Sequence, residues 1–196
     1  MAEDSGLSYL AFDPDWGYEK MPPVPEIPLH DLIRQSSARY RDKVALVSLG
    51  RSLTYGEMDD YSDRLAHYLA LAGVKKGDRV ATMLPNCAQH VLAFHGIIKS
   101  GAVSVPCNLM LKGEELAYIL SDSGAETAIC LDLLYPLLRA AAGNTPVKKI
   151  ITVHVKDFYQ EGHWVPPLVD RDKMTFPDAE DLKEILDRYP PPLGRC

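Results

Sequence analysis

The stretch that most constrains the fold is Gly77 to Asn108, where a helical segment separates two short apolar segments. Residues 79–84 and 102–105 are short and mostly apolar, which is typical of buried strands. The helix between them is predicted to begin with Asn86 as its N-cap and to run to about Ser100. Two short strands joined by a helix form a βαβ unit, so this stretch predicts parallel strands.

The alternation of strands and helices continues on both sides of this unit. A capping box, Thr54 to Glu57, marks one helix start, because each residue can satisfy a free amide of the other. Further strands are predicted at 43–47, 52–54, 127–131 and 149–155, and further helices at 29–40, 54–72, 113–122 and 133–142, with a last helix capped by Asp178. The pattern predicts an α/β fold: a mostly parallel sheet with helices on both faces.

Both ends of the chain differ in composition from this middle part, residues 29–189. Residues 1–28 contain four closely spaced prolines, which favour extended backbone. They also contain aromatic side chains, so we expect an arm that packs on a surface in preference to a disordered tail. Residues 190–196 begin with three prolines and are interpreted as a linker.

Composition limits the class of protein. The chain of 196 residues has 21 Lys and Arg against 27 Asp and Glu, a formal charge of −6, which argues against a nucleic-acid binder. The acidic N-terminus lacks the apolar core of a signal peptide, and no apolar run approaches the roughly 20 residues of a membrane span. We therefore expect no transmembrane segment. Four cysteines without a C-x-x-C pair indicate free thiols, so we expect a cytoplasmic protein.

The usual nucleotide and hydrolase motifs are absent from the sequence. It contains no G-x-G-x-x-G, no G-x-x-x-x-G-K-[ST] and no G-x-S-x-G. The turn after the strand at Arg79 reads Pro85-Asn86-Cys87, without the glycines that let a backbone approach a pyrophosphate. The βαβ unit therefore has no recognisable phosphate loop.

The histidines do not form a metal-binding pattern. On the predicted helix, His90 and His95 lie about 140° apart. They flank an apolar stripe that consists of Cys87, Val91, Phe94 and Ile98. This favours ordinary half-buried histidines over a zinc site. We expect His67 to be solvated, and three further histidines have no partner at a useful spacing: His30, His154 and His163.

Three pairs of adjacent acidic residues are the remaining candidates for acid–base chemistry: Asp59-Asp60, Glu114-Glu115 and Glu180-Asp181. We expect them on exposed faces or in first helical turns, where they stabilise the helix dipole. A catalytic carboxylate would need a cleft that shifts its pKa. The residues by themselves therefore predict no catalytic residue and no metal ligand in this chain.

A series of short motifs resembles the AMP-forming adenylate synthetases, the family of acyl-CoA synthetases, luciferases and peptide-synthetase adenylation domains. The motifs follow in the family's order and spacing: Leu53-Thr54-Tyr55-Gly56-Glu57-Met58, Gly77-Asp78-Arg79-Val80-Ala81, Leu84-Pro85-Asn86, Gly101-Ala102-Val103 with Pro106 and Asn108, and Glu114-Glu115-Leu116 with Asp122-Ser123-Gly124-Ala125. The resemblance is good over about residues 27–131 and weaker to about 189.

The resemblance implies that residues 29–189 are the first, incomplete part of the large N-terminal AMP-binding domain. The whole enzyme would use ATP and Mg²⁺ to convert a carboxylate to an acyl adenylate with release of pyrophosphate, and then CoA to form acyl-CoA. The phosphate loop and catalytic lysine would follow residue 190, so we expect this chain alone to be inactive and to bind none of these cofactors tightly. The aromatic, proline-rich arm resembles that of long- and medium-chain fatty acyl-CoA synthetases.

The sequence departs from the family where Asn108-Leu109-Met110 replaces N-P-R or N-P-x. In some members the basic residue lies near the CoA phosphates, so Lys112 is the nearest candidate for that role, with a solvated loop lysine as the alternative. Two other functions stay open: a non-catalytic nucleotide- or CoA-binding module, and an interaction module. Apolar surface left uncovered predicts self-association, including a homodimer.

Overall fold

The computed structural model describes residues 26–162, 174 and 176–191. The predicted arm, residues 1–28, and the predicted linker, residues 190–196, lie almost entirely outside the described residues. The helices are α1 (Leu29–Arg39), α2 (Tyr55–Leu71), α3 (Ala88–Lys99), α4 (Gly113–Ser123), α5 (Tyr135–Ala142) and α6 (Leu182–Arg188). The strands are β1 (Val44–Ser48), β2 (Arg51–Thr54), β3 (Arg79–Met83), β4 (Val103–Pro106), β5 (Thr127–Leu131), β6 (Lys149–Val153) and β7 (Ala179–Asp181).

The predicted βαβ unit is confirmed. β3 and β4 are parallel, with Arg79 opposite Val103, and α3 connects them. The main sheet has five parallel strands in the order β4-β3-β5-β6-β7, while β1 and β2 form a separate antiparallel hairpin. Sequence reasoning missed β7, a strand of three residues that pairs with β6.

Helices cover both faces of the sheet, as the pattern of apolar residues predicts. Alternate side chains of each strand point to opposite faces, so Val80 and Ala81 of β3 enter different cores. The first core contains the apolar sides of α2, α3 and α6, and the second contains those of α4 and α5. This is a doubly wound α/β arrangement. Among the described residues, no helix is both long enough and apolar enough to cross a membrane.

The structure confirms one of the predicted helix N-caps and corrects two. At α2, the Glu57 amide donates to Thr54 Oγ1 at 3.1 Å and the Thr54 amide donates to the Glu57 carboxylate at 2.8 Å. The N-cap of α3 is Cys87, so the assignment to Asn86 was wrong by one residue. The N-cap of α6 is Asp181, whose carboxylate accepts from the Glu184 amide at 3.1 Å, because Asp178 precedes the missed strand β7.

Helices α2 and α3 approach each other closely at Gly96. A Cβ atom at this position would lie 2.8 Å from Leu65 Cδ2, so a larger residue would push the helices apart. Leu65 is itself fully buried in the first core. Gly96 therefore sets how closely α2 and α3 can approach each other.

Candidate functional site

The carboxyl ends of the parallel strands form the natural place to look for a site. The chain runs from β3 to β4 on one side and then to β5 on the other, so the strand order reverses between β3 and β5. In open α/β sheets, ligands bind in the crevice at such a reversal. The residues that follow the strand ends here are Pro85 after β3, Asp132 after β5 and His154 after β6.

Asp132 and His154 form a pair at this edge. The Asp132 carboxylate lies 2.5 Å from His154 Nδ1, and the two side chains are only 3% and 12% exposed. Gln89, at the start of α3, donates from Nε2 to the backbone oxygen of His154 at 2.8 Å. The amide of His154 donates to the Asp157 carboxylate at 3.3 Å. The Gln89 bond holds the end of β6 against α3, and the Asp132 bond joins the ends of β5 and β6.

The sequence showed no partner for His154 at a metal-ligand spacing, and the structure gives it a hydrogen-bond partner, Asp132, that sequence spacing could not reveal. Its partner lies 22 residues away in sequence and meets it only because the ends of β5 and β6 are adjacent in the sheet. A carboxylate on Nδ1 can orient an imidazole as a base. None of the hydrogen bonds found within the described residues joins His154 to a serine, threonine or cysteine, so the pair is best understood as a structural bond.

The loop after β4 contains Lys112, the residue predicted to lie near the CoA phosphates. The Asn108 side chain accepts from the Met110 amide at 2.9 Å, and the Lys112 amide donates to the Glu115 carboxylate at 2.9 Å. Lys112 is the N-cap residue of α4 and is exposed, as is Met110. The loop thus places Lys112 near the carboxyl edge of the sheet, and its role towards CoA stays a prediction.

The apolar stripe that the sequence shows on α3 is not the buried face of the helix. The buried face of the helix contains Leu92, Ala93, Gly96 and Ile97, whereas Phe94 is 39% exposed and Val91 only partly buried. The helix is apolar on nearly every side, so the spacing of its apolar residues did not identify the buried one.

The histidines of α3 have different surroundings. His90 Nδ1 lies 3.2 Å from the carbonyl oxygen of Pro85, which can only accept, so this nitrogen carries the proton. Burial, together with the positive charge of Lys99, lowers the pKa of His95 to about 4. Burial also raises the pKa of the Cys87 thiol. In the described part of the chain, no group of three or more His, Cys, Asp or Glu residues is placed to hold a metal ion.

The acidic pairs have three different outcomes. Glu114 and Glu115 lie in the first turn of α4, as predicted. Asp59 is only 2% exposed, so the expected exposed face was wrong for this residue. It binds the fully buried ammonium of Lys99 at 2.7 Å, and Asp63 binds the same ammonium at 2.8 Å. The cluster joins α2 to α3 across the first core.

The third pair, Glu180 and Asp181, lies in β7 instead of a first helical turn. Asp181 caps α6, and the Glu180 carboxylate accepts from Tyr68 Oη and, at 2.9 Å, from Lys149 Nζ. Burial raises the pKa of Glu180, but these hydrogen bonds outweigh it and the pKa is lowered. His67 is also less solvated than expected, since Nδ1 lies 2.9 Å from the carbonyl oxygen of Pro190.

An open apolar groove of about 460 Å³ lies between the hairpin and α3. We call it the β1–α3 groove and define it by Leu46, Val47, Cys87, His90, Val91 and Phe94. Val47 is 70% exposed, although its neighbours in the groove are mostly apolar. No sequence motif pointed to this cavity, because the hairpin and α3 are brought together only by the fold.

Comparison with known proteins gives a consistent result. The family model described as "AMP-binding enzyme" matches residues 33–185, most of the chain. The chain belongs to the AMP-binding enzyme family. It is 36% identical over 136 residues to a long-chain-fatty-acid–CoA ligase of Bacillus subtilis, covering 69% of this chain and 24% of that protein. It is 31% identical over 168 residues to one of Yersinia pestis, covering 82% of this chain and 30% of that protein.

Solved structures of CoA ligases share the fold. The anthranilate CoA ligase AuaEII has a TM-score of 0.71 at 23% identity, over 88% of this chain and 30% of that chain. A long-chain-fatty-acid-CoA ligase from Archaeoglobus fulgidus has a TM-score of 0.69 at 23% identity, over 89% and 32%. The predicted fold class is therefore confirmed, and the chain spans about a quarter to a third of the length of these relatives.

The family motifs in this chain hold the scaffold together. Thr54 and Glu57 cap α2, and Gly101 follows α3 with a φ of 81°, which an L side chain rarely adopts. Arg79 donates to the carbonyl oxygens of Ser123 and Gly124 at 2.5 and 3.0 Å, which closes the end of α4. The motifs thus specify caps and turns of an AMP-binding domain, and none places a reactive side chain in a cleft.

Proposed function

We propose that this chain is the N-terminal scaffold of an ATP-dependent acyl-CoA synthetase. The enzyme joins a carboxylate to AMP with release of pyrophosphate and then transfers the acyl group to CoA. The observation that carries the proposal is the family match over residues 33–185, together with 31–36% identity to two long-chain-fatty-acid–CoA ligases. Mg²⁺ accompanies ATP in this proposal, because it neutralises the phosphates that leave.

A long- or medium-chain fatty acid is the proposed substrate, and the names of both relatives support it. The test is an assay of the full-length protein with ATP, Mg²⁺, CoA and a series of saturated fatty acids and aromatic acids. We expect AMP and acyl-CoA to form in equal amounts, fastest with a long- or medium-chain acid. Activity confined to aromatic acids would contradict the fatty-acid substrate, and the absence of AMP with every acid would contradict the synthetase.

The chain of 196 residues is proposed to be inactive by itself. The turn after β3 offers proline and asparagine where phosphate-binding glycines would be needed, and the Asp132–His154 pair is engaged in structural bonds. Mixing the purified chain with ATP, Mg²⁺ and fatty acids should release no pyrophosphate above the rate without protein. A protein-dependent release that survives further purification would contradict this.

Lys112 is proposed to lie near the CoA phosphates in the full-length enzyme. It is exposed and follows the strand end at which the family's basic residue occurs. Lys112→Ala should raise the KM for CoA about threefold or more, while pyrophosphate exchange, which needs no CoA, stays unchanged. Lys76→Ala, at an exposed lysine of the opposite, amino edge, is the control. Equal KM values for CoA in both variants would contradict this role and indicate that Lys112 is a solvated loop lysine.

We place the protein in the cytoplasm and propose that the chain self-associates. Free cysteines at 87, 107 and 130 support the first proposal. Exposed apolar side chains, among them Met110 at 84% and Val47 at 70%, support the second. Sedimentation velocity over a range of concentrations should show a growing fraction of dimers. A monomer at every concentration would contradict self-association, including a homodimer.

A further inference from the structure

We draw no further inference here: the strongest candidate, the open apolar β1–α3 groove between the hairpin and α3, carries none, because nothing in the described part of the chain shows what covers it.

Discussion

Arg79 Nη2 donates a hydrogen bond to the carbonyl oxygen of Gly124 at 3.0 Å, which joins the start of β3 to the end of α4. Gly124 has a φ of 63°, the left-handed conformation that ends a helix. The last carbonyl groups of a helix have no partner within it, so a guanidinium there satisfies them and interacts favourably with the helix dipole. Two family motifs, 45 residues apart, therefore form one structural unit.

Arg79→Met should lower the free energy of unfolding by about 1–3 kcal/mol, because two carbonyl groups lose a charged donor. The measurement is urea unfolding followed by circular dichroism. Arg139→Met is the control, since the Arg139–Asp178 ion pair has side chains 49% and 64% exposed and should contribute less than about 0.5 kcal/mol. Similar losses in both variants would show that the Arg79 bonds do not stabilise the fold.

Gly124→Ala should destabilise the chain by about 1–2 kcal/mol from backbone strain alone. A Cβ atom at this position would also lie 2.5 Å from Arg79 Nη2, so the guanidinium would have to move. Gly113→Ala is the control, because nothing lies within 4 Å of a Cβ atom there. In an Arg79→Met background, Gly124→Ala should lower the free energy of unfolding only by the amount due to backbone strain, because no guanidinium then has to move. Equal costs in the two backgrounds would contradict the proposed coupling.

Lys99→Met should lower the free energy of unfolding by about 3–5 kcal/mol, because it removes the buried ammonium that the buried carboxylates of Asp59 and Asp63 both bind, and the Arg34 guanidinium, 3.9 Å from Asp63, does not replace those short contacts. Lys148→Met is the control, because the Lys148–Glu126 pair has side chains 71% and 60% exposed. Its loss should be below about 1 kcal/mol. Chemical denaturation measures both values, and a small loss for Lys99→Met would contradict a buried charge cluster.

Stability should fall as the pH is lowered from about 6.5 to about 4, in part through His95. Burial, with the charge of Lys99, lowers the pKa of His95 to about 4, against the attraction of Asp59. The unfolded chain therefore takes up a proton at a higher pH than the folded chain. His95→Leu should reduce the slope of stability against pH in this range, whereas Ile98→Leu on the same helix should keep it. An unchanged slope in His95→Leu would contradict the prediction.

Most features with partners close in sequence were predicted correctly, although the N-caps of α3 and α6 were assigned one and three residues too early. The capping box of Thr54 and Glu57 spans four residues, and the glycines that end α3 and α4 follow directly on their helices. The strands are short and mostly apolar, so their positions in the main sheet could be predicted to within one or two residues, with the exception of β7. The family motifs belong to the same class, because most are local caps and turns.

Features with distant partners were predicted wrongly or not at all. Asp59 was expected on an exposed face, because its partner Lys99 lies 40 residues away on another helix. The hydrogen bond between His154 and Asp132 was not predicted, because Asp132 follows the neighbouring strand. β7 was missed since its three residues become a strand only by pairing with β6. The β1–α3 groove likewise depends on how the hairpin packs.

The sequence by itself determined the α/β class, the βαβ unit of Gly77 to Asn108 and the family, because these depend on local periodicity, caps and ordered motifs. Only the tertiary structure decided which side of α3 is buried, since the apolar residues of that helix surround it. It also decided which charges are buried, because an ion pair such as Lys99 and Asp59 can be stable in a core only when the fold brings both groups together.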